Sequence, residues 1–253
     1  MTRALIELRG VHKAFNGHPV LRGIDLRVEE GEVLFIIGTS GVGKSVTIKH
    51  VIGLLAPDEG EILVDGVDVT KLRERQTYGL RRKVQMVFQH ATLFDSLSVV
   101  ENVMLPLSKH RRLRRAAARD EAMEKLALVG MESFAERMPA ELGNGLRKRV
   151  AIARALTLDP EVLLFDEPTT GLDPISARRV DALITQLKGC GVTQVVVSHD
   201  LQSIFGVADR IAFVYQGKIY REGAPAELRE SADPIVRQFL RGESEGPLET
   251  PGF

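Results

Sequence analysis

Apolar residues change their spacing several times along this 253-residue chain, and each spacing predicts a different kind of element. Over residues 5–28 they fall in runs that read as short strands, with a turn at Asn16-Gly17-His18-Pro19. Residues 61–69 read as strand, turn and strand, with Asp65-Gly66 as the hairpin signal. Largely apolar runs at 33–37, 84–89, 162–166 and 194–198 instead predict buried strands. Helices are expected at about 44–54, stopped near Gly53 and Pro57, and at about 176–188. Strands alternating with helices indicate a mostly parallel sheet covered on both faces. Between about 91 and 156 the β-branched runs give way to Ala, Arg, Leu and Glu, the texture of helices inserted into that core. A hairpin around Gln216-Gly217 and a helix near 233–240 close the fold. The tail Gly242-Glu243-Ser244-Glu245-Gly246-Pro247 is too polar and glycine-rich to pack alone.

Composition narrows the classes. With 44% hydrophobic residues the chain can bury a full core in one or two lobes. Its 34 Lys and Arg balance 34 Asp and Glu, so no net field favours nucleic acid. The single cysteine, Cys190, excludes an internal disulfide and fits a reducing compartment; between two glycines at a helix end it reads as structural. The first eight residues alternate like a strand and lack the apolar stretch of a signal peptide. No apolar run approaches the ~20 residues that span a bilayer. A soluble protein is expected, and any membrane role needs a partner.

Three stretches carry chemistry. Gly38-Thr39-Ser40-Gly41-Val42-Gly43-Lys44-Ser45 follows the strand at 33–37 and opens a helix, the context that a phosphate-binding loop requires. Glycines let backbone N–H groups approach a polyphosphate, and the helix N-terminus adds about half a positive charge. Lys44 is expected on the β- and γ-phosphates and the Ser45 hydroxyl on magnesium. The run at 162–166 ends in Asp166-Glu167-Pro168, two carboxylates at the C-terminal edge of a parallel sheet, where ligands bind. Asp166 is expected to hold magnesium through water, and Glu167 to act as general base. One strand–helix–strand unit later, His199 reaches the same edge and a γ-phosphate. A nucleoside triphosphate is the implied ligand.

This order of motifs resembles the ATP-binding-cassette (ABC) family over nearly the whole chain. The resemblance implies an α/β phosphate-loop fold, with a mainly parallel sheet core, an antiparallel β subdomain and an inserted helical subdomain. Residues 1–240 would form the ATPase domain, with its core at about 1–90 and 157–240, its helical subdomain at about 91–156, and a tail at 241–253. ATP and Mg2+ are the implied cofactors. Gln89 would sense the γ-phosphate and magnesium, Phe15 would stack on adenine with Val20 at the ring edge, and His199 would be the switch histidine. Thr170-Gly171-Leu172-Asp173-Pro174 looks like the loop that faces a second subunit. In the family two cassettes sandwich two ATP molecules head to tail, each phosphate loop facing the partner's signature motif, so a homodimer is implied.

The signature motif departs from its family pattern. Where relatives read Leu-Ser-Gly-Gly-Gln, this chain has Leu142-Gly143-Asn144-Gly145-Leu146, followed by an intact basic helix. The family serine bonds the γ-phosphate held by the partner, and a hydrogen bond to a charged group is worth about 1.5–3 kcal/mol. Weakened closure is therefore expected, not a dead site, because Gly145 keeps its amide and the helix its dipole. Asn144, with two N–H donors, is a candidate replacement that also tolerates a left-handed backbone. Val46 stands where many relatives carry threonine, which predicts a modest loss of affinity.

Permease helices are lacking, so the resemblance implies a separate transmembrane permease. In the family, the region at 92–103 forms the groove for the permease coupling helix; Ser98 with Glu101 also reads as helix-start chemistry. Leu93-Phe94-Asp95-Ser96-Leu97-Ser98-Val99, residues 233–242 and Gly246-Pro247 resemble the ATPases of Mla/MCE lipid-transport complexes. That resemblance implies movement of phospholipid or other apolar molecules between bacterial membranes, from the cytoplasmic face of the inner membrane. It implies an MCE-domain substrate-binding protein, often a small STAS-domain protein on the helical lobe, and a tail that reaches the neighbouring ATPase. The ATPase of a small-solute importer, for example for amino acids, shares every cassette motif and is the alternative. Lys109-His110-Arg111-Arg112-Leu113-Arg114-Arg115 reads as a solvated helix start, with anionic lipid or an acidic partner face as its other reading.

Overall fold

The computed structural model describes residues 3–248. The chain opens with β1 (Ala4–Phe15), β2 (His18–Glu29), β3 (Val33–Ile37), α1 (Lys44–Val51), β4 (Glu59–Val64), β5 (Val67–Asp68), α2 (Glu74–Lys83) and β6 (Val84–Val87). Its middle is helical: α3 (Val99–Pro106), a π-helical turn at Leu107–Arg111, α4 (Arg115–Leu128) and α5 (Asn144–Leu156). β7 (Val162–Asp166), α6 (Pro174–Gly189), β8 (Thr193–Val197), α7 (Leu201–Val207), β9 (Arg210–Tyr215), β10 (Lys218–Gly223), α8 (Pro225–Arg229) and α9 (Pro234–Arg241) complete it.

Two sheets result. β2-β1-β4-β5 is antiparallel, and β10-β9-β3-β8-β7-β6 is parallel throughout except for the closing β9–β10 hairpin. The central strands are buried on both faces, which is why their sequences are continuous apolar runs. Alternate residues divide between two cores. Val33, Phe35, Ile37, Leu163 and Phe165 pack with the helical elements, while Leu34, Ile36, Val162 and Leu164 pack toward the antiparallel sheet. Each such fully buried side chain contributes about 1.5–3 kcal/mol of apolar transfer free energy. The sheet is thus a stiff plate, and the loops at its C-terminal edge inherit that stiffness.

Several sequence expectations need correction. Residues 4–29 form two twelve-residue strands, not a series of short ones, and His18 and Pro19 lie inside β2. Gly10, at φ +56°, sits in a register shift between Leu8 and Val11 and lets β1 continue through an irregularity. The strand expected over 84–89 ends at Val87, which leaves Phe88 and Gln89 in the following loop. Helix α1 ends at Val51, short of Leu54. In the inserted stretch, helix begins only at Val99, where Ser98 and Glu101 form a reciprocal cap: Glu101 N–H donates to Ser98 Oγ at 3.3 Å, and Ser98 N–H to Glu101 Oε2 at 3.1 Å. The basic run spans a helix end as well as a start: the π-turn stops at Arg112 (φ +53°), and Arg114 and Arg115 open α4.

Residues 242–247 of the tail are exposed, and the chain is anchored just beyond them. Leu248 is buried, and its N–H donates to the buried Gln238 Oε1 on α9 at 2.6 Å. The expected contact of the tail with a neighbouring subunit extends over 249–253, outside the described residues. Cys190 caps the C-terminal end of α6 and is exposed. Among the described residues no helix is long and apolar enough to cross a membrane.

Candidate functional site

The loop between β3 and α1 is built around glycines that nothing else can replace. Gly38 has φ +148° and Gly43 φ +103°. A Cβ at Gly38 would collide with the Val214 carbonyl, and one at Gly43 with Leu21 and, at 3.2 Å, with Val20 Cγ1. Gly41 also has positive φ (+79°), so the chain between Thr39 and Val42 turns tightly. Gly43 starts α1 without a side-chain cap, leaving first-turn N–H groups to be satisfied from outside the helix. Lys44 Nζ donates to the Gly38 and Thr39 carbonyls, each at 2.8 Å. Burial lowers the Lys44 pKa, opposed by the charges of Glu167 and Asp166. Val46, on α1, packs against the core that lies beneath the antiparallel sheet.

Ser45 Oγ donates to Asp166 Oδ1 at 2.5 Å, and Asp166 is only 5% exposed. A hydroxyl and a buried carboxylate at this separation are hard oxygen donors of the type that suits Mg2+, which takes one or two protein ligands and completes its shell with phosphate and water. Glu167 follows at φ +51°, an uncommon conformation for a residue with a Cβ. Contacts to its N–H and its carboxylate help to hold it there. Its N–H donates to the Val197 carbonyl at 2.9 Å, Thr170 Oγ1 donates to its Oε2 at 2.9 Å, and His199 Nδ1 lies 2.8 Å from the same oxygen. Glu167 and His199 come together because β7 and β8 are parallel neighbours, with Asp166 opposite Val197.

The remaining predicted residues fall in two places. Val20 adjoins Gly43, while Phe15 ends β1 with 40% of its surface exposed and Lys13 Nζ 5.6 Å from its ring centre. Gln89 and Asn144 line a separate polar cavity of about 330 Å3 with Lys148, Arg147 and Thr170. No residue of the 38–46 loop lines that cavity among the described residues. Leu142 is buried and Gly143 is the N-cap of α5, extended at φ −67°, ψ 162°. Asn144 is the first helical residue and not left-handed, so backbone tolerance gives no reason for asparagine there. At Gly145 the reason for glycine is space: a Cβ would lie 2.9 Å from Ser176 Oγ. Asp173 caps α6 by accepting from the Ser176 N–H at 2.9 Å, and hydrogen bonds from Ser176 hold its pKa below the usual range.

Sequence reading missed three contributors. Thr170 was placed only in a loop, although its hydroxyl grips the Glu167 carboxylate. Lys148 sits in a basic stretch that reads as solvated helix, yet is 3% exposed and donates to the Phe88 carbonyl at 2.9 Å and the Glu167 carbonyl at 3.4 Å. Burial pulls its pKa down to about 8, against the charges of Asp166 and Glu167. Arg154, also on α5, ties down the loop after Gln89 through the Thr92 carbonyl at 3.0 Å. The signal available in sequence for Lys148 is helical spacing, since Ala151, Ile152 and Ala155 stand three, four and seven residues on, along the face that α5 buries.

A second, more apolar cavity of about 550 Å3 opens between the parallel core and the helical elements. Phe88, Phe94, Tyr78 and Leu54 line it, with Lys109 and His110 at its rim. It lies directly beyond the Gln89 loop.

The sequence profile of the ABC transporter family matches residues 21–170. The intermembrane phospholipid transport system ATP-binding protein MlaF of Haemophilus influenzae is 38% identical over 98% of this chain and 94% of its own. A probable ribonucleotide transport ATP-binding protein, mkl, of Mycobacterium tuberculosis is 36% identical over 96% of this chain and 68% of its own. Among solved structures, the ATP-binding cassette MJ0796, a dimer in a post-hydrolysis state with ADP and Pi, superposes with a TM-score of 0.81 at 33% identity, covering 87% of this chain and 98% of that one. The chain therefore belongs to the ABC transporter family, as an ATP-binding and ATP-hydrolysing subunit.

Proposed function

We propose that this ATPase powers the movement of phospholipid or related apolar molecules between bacterial membranes, as a homodimer docked on the cytoplasmic face of the inner membrane. Similarity to a phospholipid-transport ATPase over nearly the full length of both chains carries this reading. Residues 1–240 act as the ATPase domain, with 91–156 as the helical subdomain. The 550 Å3 groove receives a helix of a separate transmembrane permease, because its apolar walls join the helical elements to the loop that follows Gln89. An MCE-domain protein supplies substrate, a small STAS-domain protein sits on the helical lobe, and the end of the tail contacts the neighbouring ATPase.

In this reading the amides of residues 39–45 and the α1 N-terminus cradle the phosphates of ATP. Lys44 turns from the Gly38 and Thr39 carbonyls to the β- and γ-phosphates. Ser45 and Asp166, joined by Gln89 from the neighbouring cavity, would hold magnesium, which would neutralise phosphate charge. Phe15 stacks on the adenine with Val20 beside it. Glu167 accepts a proton from the attacking water, held in place by Thr170 and His199. Gly143, Asn144 and Gly145 of one subunit face the phosphate loop of the other, with Asp173 at the same interface.

Likeness to mkl, a probable ribonucleotide transport protein, favours a second reading in which the cargo is a small polar solute. Solubilising the complex from native membranes and identifying its co-purifying subunits and bound molecules separates the two. A multi-spanning permease with an MCE-domain protein and phospholipid is the expected result. A permease with a soluble solute-binding protein and no enriched lipid would overturn the lipid reading.

A further inference from the structure

We propose that Lys148 is a positioning residue whose buried ammonium fixes the backbone of Glu167 relative to Phe88, so that displacement of the Gln89 loop is felt at the general base. The inference rests on Glu167 acting as that base.

Glu167 occupies a left-handed conformation, which persists only where surrounding contacts over-determine it. Its N–H and its carboxylate are held by Val197, Thr170 and His199. Its carbonyl accepts from the Thr170 N–H at 3.4 Å, and Lys148 Nζ reaches the same oxygen at 3.4 Å. The shorter bond of the same ammonium, 2.9 Å, goes to the carbonyl of Phe88, the residue before Gln89. These two carbonyls are neighbours because β6 and β7 run parallel, with Val87 opposite Phe165. Lys148 is 3% exposed, so its ammonium depends mainly on these carbonyls. A buried ammonium stripped of an acceptor is costly, which couples the two backbones more tightly than either bond length suggests.

The third party is the helix itself. Lys148 lies four residues, about one turn, beyond Asn144, on the α5 that begins at the signature loop. Phe88 also lines the apolar groove, and Gln89, Asn144 and Lys148 share the polar cavity. One side chain thus touches the segments that face the groove, the signature helix and the catalytic strand end. A shift in the groove wall moves Phe88, and through Lys148 it moves the peptide on which Glu167 is mounted.

The test compares Lys148→Met and Lys148→Gln in the full-length chain, by steady-state ATP hydrolysis, affinity for a non-hydrolysable ATP analogue, and thermal melting. Methionine fills the site without a donor, whereas the glutamine carboxamide has two N–H groups for two carbonyls. Lys148→Met should lower kcat at least ~10-fold, the scale of a misplaced catalytic group, while KM and analogue affinity stay within about twofold of the parent. Lys148→Gln should recover most of kcat. Three results would overturn the proposal: Lys148→Met with parental kcat, Lys148→Gln as slow as Lys148→Met, or analogue affinity falling in step with kcat in both. Glu167→Gln is the control. If that variant turns over normally, the base assignment itself fails, a distinguishable way for the proposal to fall.

Discussion

Restoring a serine at the signature loop, Gly143→Ser, should tighten ATP-driven dimerisation. Gly143 is extended, at φ −67° and ψ 162°, a conformation open to any residue, and a Cβ there would meet nothing within 4 Å. The variant therefore fits without strain. It is also the N-cap of α5, where no side chain now caps the helix. A serine oxygen can accept from a first-turn N–H while its proton points outward to a phosphate oxygen, since the hydroxyl is donor and acceptor together. The capping part is worth only a few tenths of a kcal/mol relative to glycine. The bond to the partner's phosphate is worth about 1.5–3 kcal/mol, or ~10- to 150-fold per site. With two sites in a symmetric dimer, the dissociation constant should fall by at least ~100-fold if they act independently. The assay is sedimentation equilibrium with saturating ATP in a Glu167→Gln background, where hydrolysis does not dissolve the dimer. Thermal melting without ATP should barely move, which separates closure from monomer stability. Parental dimerisation of Gly143→Ser would refute the reasoning. If Asn144→Ala then weakened the dimer, the carboxamide would be the donor already in service.

Thr170→Val should free one side of the Glu167 carboxylate and lower kcat several-fold with KM for ATP unchanged, measured by steady-state hydrolysis. Equal changes in both constants would argue against a role confined to the base. Gly38→Ala forces a methyl group into the Val214 carbonyl at a backbone angle alanine rarely adopts, so ATP affinity should drop sharply and the melting temperature should fall with it. For Lys148 the sign follows from its lowered pKa. The unfolded lysine keeps its proton up to about 10.5 whereas the folded one loses it near 8, so the unfolded chain binds more protons between these values and stability rises with pH across that window. The parent should therefore gain up to ~3 kcal/mol relative to Lys148→Gln from pH 8 to 10.5, and nothing below pH 8, in urea titrations. A flat difference would contradict a buried ammonium. Leu248→Asp should lower stability by about 2–3 kcal/mol through loss of an apolar seat, a change that calorimetry would register.

The plate of parallel strands was legible because its central strands β3 and β7 are apolar at consecutive positions and end in residues with chemistry, as at Ile37-Gly38 and Asp166-Glu167. Local pattern carries that much, since burial on both faces removes alternation. Helix α2 was not foreseen. Its ten residues, Glu-Arg-Gln-Thr-Tyr-Gly-Leu-Arg-Arg-Lys, give no apolar stripe, and Leu80 is the large apolar side chain that it buries. The depth of Lys148 was hidden for the opposite reason: three basic residues in a row look solvated until the sheet edge supplies carbonyls for one of them. The same limit applies to Leu248, whose seat is made by Gln238 of α9 and not by its own neighbours in sequence.

The contact between Gly145 and Ser176 explains where this signature was free to drift. Helices α5 and α6 meet there so closely that a single added carbon at 145 would touch the Ser176 hydroxyl, whereas at 143 it would enter open space. Substitution is therefore rationed by volume: Gly143 and Asn144, two of the three altered letters, are exposed and lie outside that crowded contact, the retained Gly145 lies within it, and the third altered letter, Leu146, packs against the core. A library of variants at 143, 144 and 145, selected only for folding, should sort the same way, permissive at the first two and closed at the third. What looks like erosion of a motif is, on this geometry, change at two exposed positions and at one, Leu146, that turns an apolar side chain to the core.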